Sequence, residues 1–415
     1  ATLPPIGSVV WGPGESSFMT GGRRLPGDTN DGVFHRPVLL AAVFAILTSV
    51  VLVDLVPRLA PGLLRFEYTM ADVRTSMLSD QLPSQHPHVA VVGITDQTLS
   101  DYKIRLPIDR ALLSRLIEAV DAAGAKAIGI DLLFYRTVPA DNDEMLINAL
   151  KAARAKVVLA AADERLGLSQ PQIDKQLEFF ARTGRPAGYA NLATERDWVV
   201  RFKALPAPGS RYPKSFARML VEAGGYAPAD DSRRIAWLRD PRDGSDAFLN
   251  IPADALLGPA DDPGVKAARA GLKDKIVIIG GLLPDLDQHL TPLTSQTLQR
   301  MAGAIIHAHI AAELIDGRKI YQLEVNSLVL RLGLAGLAAF GFLIGWVYRL
   351  KRQGILLSSL ATVVIISIDT IAFWQSRIIL PIVLALMAWF MGEFTGHWLG
   401  KWLGHRPDRT RWFVK

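Results

Sequence analysis

The stretch HVAVVGITDQTLSDYKIRLPIDRALLSRLIEAVDAAGAKAIGID, residues 88–131, decides the fold. It opens on a short apolar run, Val89 to Ile94, that leads to Asp96 and reads as a buried strand. Asp109 is placed to cap the next helix, and Leu112, Leu113, Leu116, Ile117 and Val120 share one face of it. Gly124 stops that helix, and a second apolar run, Ala125 to Ile130, ends at Asp131. Working outward, Asp141 to Arg154 reads as a helix and Lys156 to Ala161 as a strand. Strand, helix and strand repeating at this spacing mean crossover units and a largely parallel sheet. Apolar runs without alternation fit strands covered on both faces.

Residues 162–270 are richer in Pro, Arg and Asp, with short strands expected near Trp198–Phe202 and Ile235–Leu238. They read as an insertion or as an elaborated half of the same domain. Lys275 to Gly280 returns to a buried strand, and a helix at about Ala302 to Asp316 follows.

Four apolar spans flank this region, at about Pro37–Val56, Leu328–Val347, Ile355–Phe373 and Ile378–His397. Each has about the 20 residues a helix needs to cross the hydrocarbon core. The expected fold class is an α/β periplasmic domain with a largely parallel sheet and covering helices, plus four transmembrane α-helices, one N-terminal and three C-terminal. The expected division is a mobile or partner-ordered arm at 1–36, the first span at 37–57, the domain at 58–326, spans two to four at 327–400 and a basic tail at 401–415. Leu63 to Leu78 has helical spacing that extends the first helix beyond the bilayer.

The 415 residues are 50% hydrophobic with a net charge of +6, and the distribution of that charge is informative. Arg23, Arg24 and Arg36 precede the first span; Arg349, Lys351 and Arg352 join the second and third; Lys401, Arg406, Arg409, Arg411 and Lys415 follow the fourth. The positive-inside rule then places both termini and the 348–354 loop in the cytoplasm of a bacterial inner membrane, with 58–326 periplasmic. The basic clusters read as topology signals and anionic-lipid contacts, not nucleic-acid sites. The chain has no cysteine, which excludes disulfides, thiolate metal sites and a thiol nucleophile. The first span lies too far in, and is too long, for a cleaved signal peptide, so a retained anchor is expected.

Two segments carry a family resemblance: residues 88–134, and Lys273 to Lys319, KDKIVIIGGLLPDLDQHLTPLTSQTLQRMAGAIIHAHIAAELIDGRK. The pattern falls on Asp96, Pro107 with Arg110, Ala123 to Lys126, Gly129 with Asp131, Ile276 to Gly280, Asp287 with Thr291-Pro292, and Gly303 with His307-Ala308. It resembles the type-2 CHASE domain, the cyclase- and histidine-kinase-associated sensory extracellular domain, a family often followed by three membrane helices. It departs where the family's Trp-Pro is Leu106-Pro107. Members usually carry a catalytic module after the last helix; about 15 residues follow here, too few for one. The resemblance therefore implies a sensor without enzymatic activity whose output lies in another chain.

Asp96, Asp131 and Asp287 each follow a predicted strand, at the sheet edge where open α/β domains bind ligands. They read either as a grip for a cation or polar ligand, with Arg110 and His307, or as helix caps paired with Arg110 or Lys126. His307 and His309 point to different sides of a helix, so His307 is expected buried and hydrogen-bonded, and no metal or other cofactor is expected. Gly280-Gly281 lacks the spacing of a dinucleotide loop, and no Ser-His-Asp order, HExxH motif or P-loop occurs.

In the membrane, Gly341 and Gly345, and Gly392 and Gly396, allow close helix approach, within one bundle or between chains. Asp369 costs the third span about 3 kcal/mol, while its Leu, Ile, Val and Phe residues return up to about 0.5 each, so it inserts with the Asp facing protein. Glu393 and His397 are one turn apart and placed to pair. Three readings follow: a periplasmic sensor signalling to separate membrane or cytoplasmic proteins, an accessory subunit of a larger complex, or a transporter using Asp369. The first implies a small periplasmic ligand; all imply lipid contact and allow a homo-oligomer.

Overall fold

The computed structural model describes residues 31–136, 140–229, 232–294, 297, 299–323, 327–348 and 351–404. The N-terminal arm up to residue 30 and the tail from residue 405 lie outside the described residues. Six parallel strands form the central sheet: β1 (Val89–Ile94), β2 (Ala127–Asp131), β3 (Lys156–Ala161), β4 (Ala187–Tyr189), β5 (Leu249–Pro252) and β6 (Ile276–Gly281). Their spatial order is β4-β3-β2-β6-β1-β5. The last strand in sequence thus enters the middle, where Ile278 lies between Val91 and Gly129. The four apolar strands occupy the centre because both of their faces are covered.

Both edge strands come from the 162–270 segment, which is therefore part of this sheet and not an insertion beside it. They are short, and β5 ends on Pro252, a residue type that an edge tolerates and a centre does not. Seven helices accompany the sheet: α1 (Pro61–Leu78), α2 (Arg110–Ala122), α3 (Ala140–Ala152), α4 (Gln170–Thr183), α5 (Phe216–Ala223), α6 (Pro263–Leu272) and α7 (Gly303–Asp316). Helices α2, α3, α4 and α6 bury one face of the sheet, α5 and α7 the other. Asp109 caps α2 by accepting from the Leu112 N–H at 2.9 Å.

Four helices are long and apolar enough to cross a membrane: Val38–Leu59, Leu328–Tyr348, Arg352–Ser376 and Ile382–Leu403. Helix α1 does not simply prolong the first span. Ala60 (φ −131°, ψ 62°) breaks the helix, and Pro61 starts a new one that packs against the third and fourth spans. The second span packs against the first and the fourth. Gly341 and Gly345 face the backbone of the fourth span, and Gly392 and Gly396 face the backbone of the second. A methyl group at any of the four would collide with a carbonyl oxygen of the opposing helix. These small residues therefore serve a seam inside the bundle. The third span is different: only 11% of its apolar window is buried, against 44% for the fourth.

Candidate functional site

The carboxyl ends of β2, β3 and β6 open onto a cavity of about 440 Å³. Asp131 closes β2, Arg110 opens α2, Asp287 lies in the loop after β6, and His307 projects from α7; all four line the cavity. Asp96 does not. The chain turns outward after β1, and Asp96 pairs in solvent with Arg105, which also reaches Asp285 at 3.4 Å. Sequence reasoning missed His289, Asn191 and Arg136, which also line the cavity. His289, two residues beyond Asp287 in the same polar loop, was the one with a readable signal.

The polar groups here differ sharply in how they are satisfied. The Arg110 Nε donates to Asp143 at 3.2 Å, and its guanidinium lies 4.8 Å from the Phe134 ring centroid, so its charge is already matched. Lys126 instead sits over the Tyr226 ring. The His307 Nε2 donates to the Ala190 carbonyl at 3.2 Å, which fixes the tautomer and leaves Nδ1 as a bare acceptor. Burial holds that imidazole down at about 4, so it is neutral at ordinary pH. The His289 Nε2 donates to Asp287 at 2.8 Å. Burial alone would raise Asp287, but this bond holds its carboxyl below the usual carboxylate range. Gly303 is required beneath it, since any side chain there would run into the Asp287 carboxylate.

Asp131 is the exception. Its side chain is 9% exposed, and among the described residues its carboxylate accepts no hydrogen bond; His307 Nε2 is 3.9 Å away. Burial, then the charge of Asp287, pushes its pKa well above the usual range. Neither expected cap nor pairing with Arg110 or Lys126 occurs. Among the described residues no three His, Asp or Glu side chains are grouped to hold a metal ion.

On the opposite side, the domain is bolted to the membrane helices through α1. Arg201, in the second strand of the β-hairpin of Leu192–Thr194 and Val200–Lys203, donates to both oxygens of Asp72 on α1 (2.9 and 2.6 Å) and to Asp197 (2.8 and 2.6 Å). Glu67, also on α1, accepts from the N–H groups of Val383 and Leu384 at the start of the fourth span (2.8 and 3.2 Å). Arg74 of α1 pairs with Asp369 of the third span. The Arg377 side chain, in the turn between spans three and four, pairs with Asp80 and donates to the Leu78 carbonyl at 2.9 Å. Tyr321–Gln322, leaving the domain, pairs in parallel with Ile378–Ile379 of the same turn.

Residues 38–347 match the CHASE2 domain family. The chain belongs to that family. CHASE2 is an extracellular sensory domain and is not a catalytic one. No curated protein and no solved structure matches the chain. The CHASE2 match includes the first and second spans, so the helices on either side of the domain belong to the unit that the family defines.

Beyond the CHASE2 match, the intramembrane residues are arranged for packing. Asp369 is buried against Arg74, a partner 295 residues away that sequence spacing could not reveal. Glu393 accepts from the Ser358 hydroxyl of the third span, to which the Trp389 indole donates at 3.2 Å. No bond joins Glu393 to His397, whose Nδ1 has no partner among the described residues. The Glu393–His397 pair expected from spacing is therefore replaced by one between helices. Sequence reasoning also missed Asp54 and Arg331, which form a two-bond pair (2.8 Å each) between the first and second spans.

Proposed function

We propose that this chain is an inner-membrane sensor whose CHASE2 domain lies in the periplasm, with both ends and the 348–354 loop cytoplasmic. Occupancy of the cavity at the sheet edge is passed through α1 to the third span and from there to a separate partner protein. One observation carries this reading. Helix α1 is fixed to the domain by Asp72–Arg201 and to the third span by Arg74–Asp369, and the third span is the least buried of the four. Spans one, two and four share buried contacts, two and four also share the glycine seam, and the three act as the fixed frame. A ligand shifts such a system only by binding its two arrangements unequally. The buried pairs along α1 supply contacts with discrete alternatives, as coupling requires.

A second reading, an accessory subunit, is favoured by the open flank of the third span. There Leu337, Phe340, Ile344, Leu360, Val364 and Ile368 border an apolar groove of about 310 Å³. A transporter reading is weaker, because Asp369 is matched by Arg74 in a buried pair.

The absence of cysteine allows clean labelling. Spin labels at Leu356→Cys and Trp402→Cys report the far end of the third span against the fixed frame in nanodiscs. Arg201→Met, which separates the domain from α1, is expected to change that distance distribution. An unchanged distribution sinks the sensor reading and leaves the subunit. Met145→Cys labelled in intact cells, with Lys401→Cys labelled only after permeabilisation, is the topology required.

A further inference from the structure

Resting on the sensor reading, we propose that the cavity takes a small organic amine: a protonated ammonium group held by Asp131, with an apolar body against the leucines of the cavity wall. The volume of about 440 Å³ lies within the range of about 300–1,000 Å³ typical of small-molecule sites.

The polarity of the unsatisfied groups selects the ligand class. The His307 Nδ1 is buried without a hydrogen-bond partner among the described residues, and the Asp131 side chain, 9% exposed, has its nearest charged neighbour, His307 Nε2, 3.9 Å away. The His307 Nδ1 is an acceptor, because its sister Nε2–H is spent on the Ala190 carbonyl, and Asp131, once ionised, is acceptor-only. A buried acceptor without a donor is costly, and the complement of a carboxylate in such a place is a cation that donates hydrogen bonds. The cations already present do not serve. Arg110 is matched by Asp143, and Arg136 is exposed, over the ring of Tyr135.

The same count disfavours an anionic ligand, which would bring further acceptors to a wall holding Asp131 and Asp287. An inorganic cation is disfavoured by the lack of a third grouped ligand among the described residues. The walls are instead apolar, with Leu106, Leu132, Leu133, Leu166, Leu192 and Leu286. The second hollow of the domain, about 610 Å³ beside His309, has no such imbalance. Its Asp240 accepts from the Ala247 N–H at 2.9 Å, and its Arg239 donates to the Ser79 carbonyl at 2.9 Å.

Binding has a second signature. Burial, then the charge of Asp287, pushes the Asp131 pKa well above the usual range, and an ammonium partner pulls it back down, so binding is expected to release protons. The other titratable groups on the cavity are Asp287, His289, His307 and Tyr135, with the guanidinium groups of Arg110 and Arg136. Of these, Asp287 is already ionised against His289 and His307 is neutral, so the proton released is that of Asp131.

The test uses the full chain in nanodiscs and three matched probes: phenethylamine, phenethyl alcohol and phenylacetate. Calorimetry is expected to show phenethylamine binding at least tenfold tighter than either analogue, with proton release and affinity rising with pH while the amine stays protonated. Asp131→Asn is expected to cost phenethylamine at least tenfold and to leave the alcohol unchanged. Equal binding of amine and alcohol, or no binding of phenethylamine at millimolar concentration, overturns the amine assignment on the wild-type protein alone. Asp131-dependent binding of phenylacetate overturns it too, yet keeps a ligand in the cavity and so spares the sensor reading. Amine binding as expected, with the third-span label distance unmoved, keeps the site and removes the sensor.

Discussion

Buried carboxylates occur in two regions of this molecule, and they are treated in opposite ways. Along α1, Asp72 meets Arg201, Glu67 meets the first N–H groups of the fourth span, and Asp369 meets Arg74. At the sheet edge, Asp131 is similarly enclosed and, among the described residues, meets no donor. A buried charge joined to a fixed partner on another element is structural glue, and removing one partner strands the other. A buried carboxyl kept without a partner is a candidate functional group. The difference lies in the partner, not in the depth of burial.

The largest expected effect breaks the glued region. Arg201→Met leaves Asp72 buried and Asp197 without its two bonds, and is expected to cost about 3–5 kcal/mol in denaturant unfolding of the detergent-solubilised chain. Hydrogen exchange should rise along residues 61–78 and stay unchanged in β1. Replacing Arg201 and Asp72 together by apolar residues should not recover the loss, because the buried Arg234, whose guanidinium lies 3.6 Å from Asp72, would then be stranded in turn. If Arg201→Met unfolds nothing, the α1 charges are ornaments and the contrast with Asp131 disappears.

A smaller effect is expected from the bundle frame. Gly396→Ala places a methyl against the Phe342 carbonyl and is expected to cost about 1–3 kcal/mol, the range for overpacking. Gly336→Ala, with nothing within 4 Å of the added carbon, is expected to be close to neutral. Melting temperatures of the two variants side by side sharpen the claim that the frame is rigid where the third span is not.

How much of this was legible in the sequence follows the same division. The central strands, the four spans and the cap at Asp109 could be read because burial on both faces, membrane thickness and capping each leave a local pattern. Asp131 could be read because it ends a strand, and Asp287 and His307 because they fall on a family motif. The edge strands β4 and β5 could not: three or four residues, AGY and LNIP, carry no apolar run. Asp96 was misplaced because the turn that follows β1, not the strand itself, sets where its side chain goes. The partners Arg74 for Asp369 and Asp143 for Arg110 were invisible because they depend on packing between distant elements.

The smallest effect is the one that discriminates most. Asp131→Asn keeps shape and removes ionisation, and it is expected to change stability by within about 1 kcal/mol at neutral pH, in the stabilising direction. The sign follows from linkage. The folded pKa of Asp131 is raised, so the stability it contributes is fully present below the unfolded value of about 3.9 and is lost as pH rises through the folded value. The wild type should therefore match the variant in acid and fall below it towards neutrality, as read from unfolding free energies measured across that range. Were Asp131→Asn instead to cost as much as Arg201→Met at neutral pH, Asp131 would have to be a charged member of a structural pair. The sheet edge and the α1 stalk would then be the same kind of place.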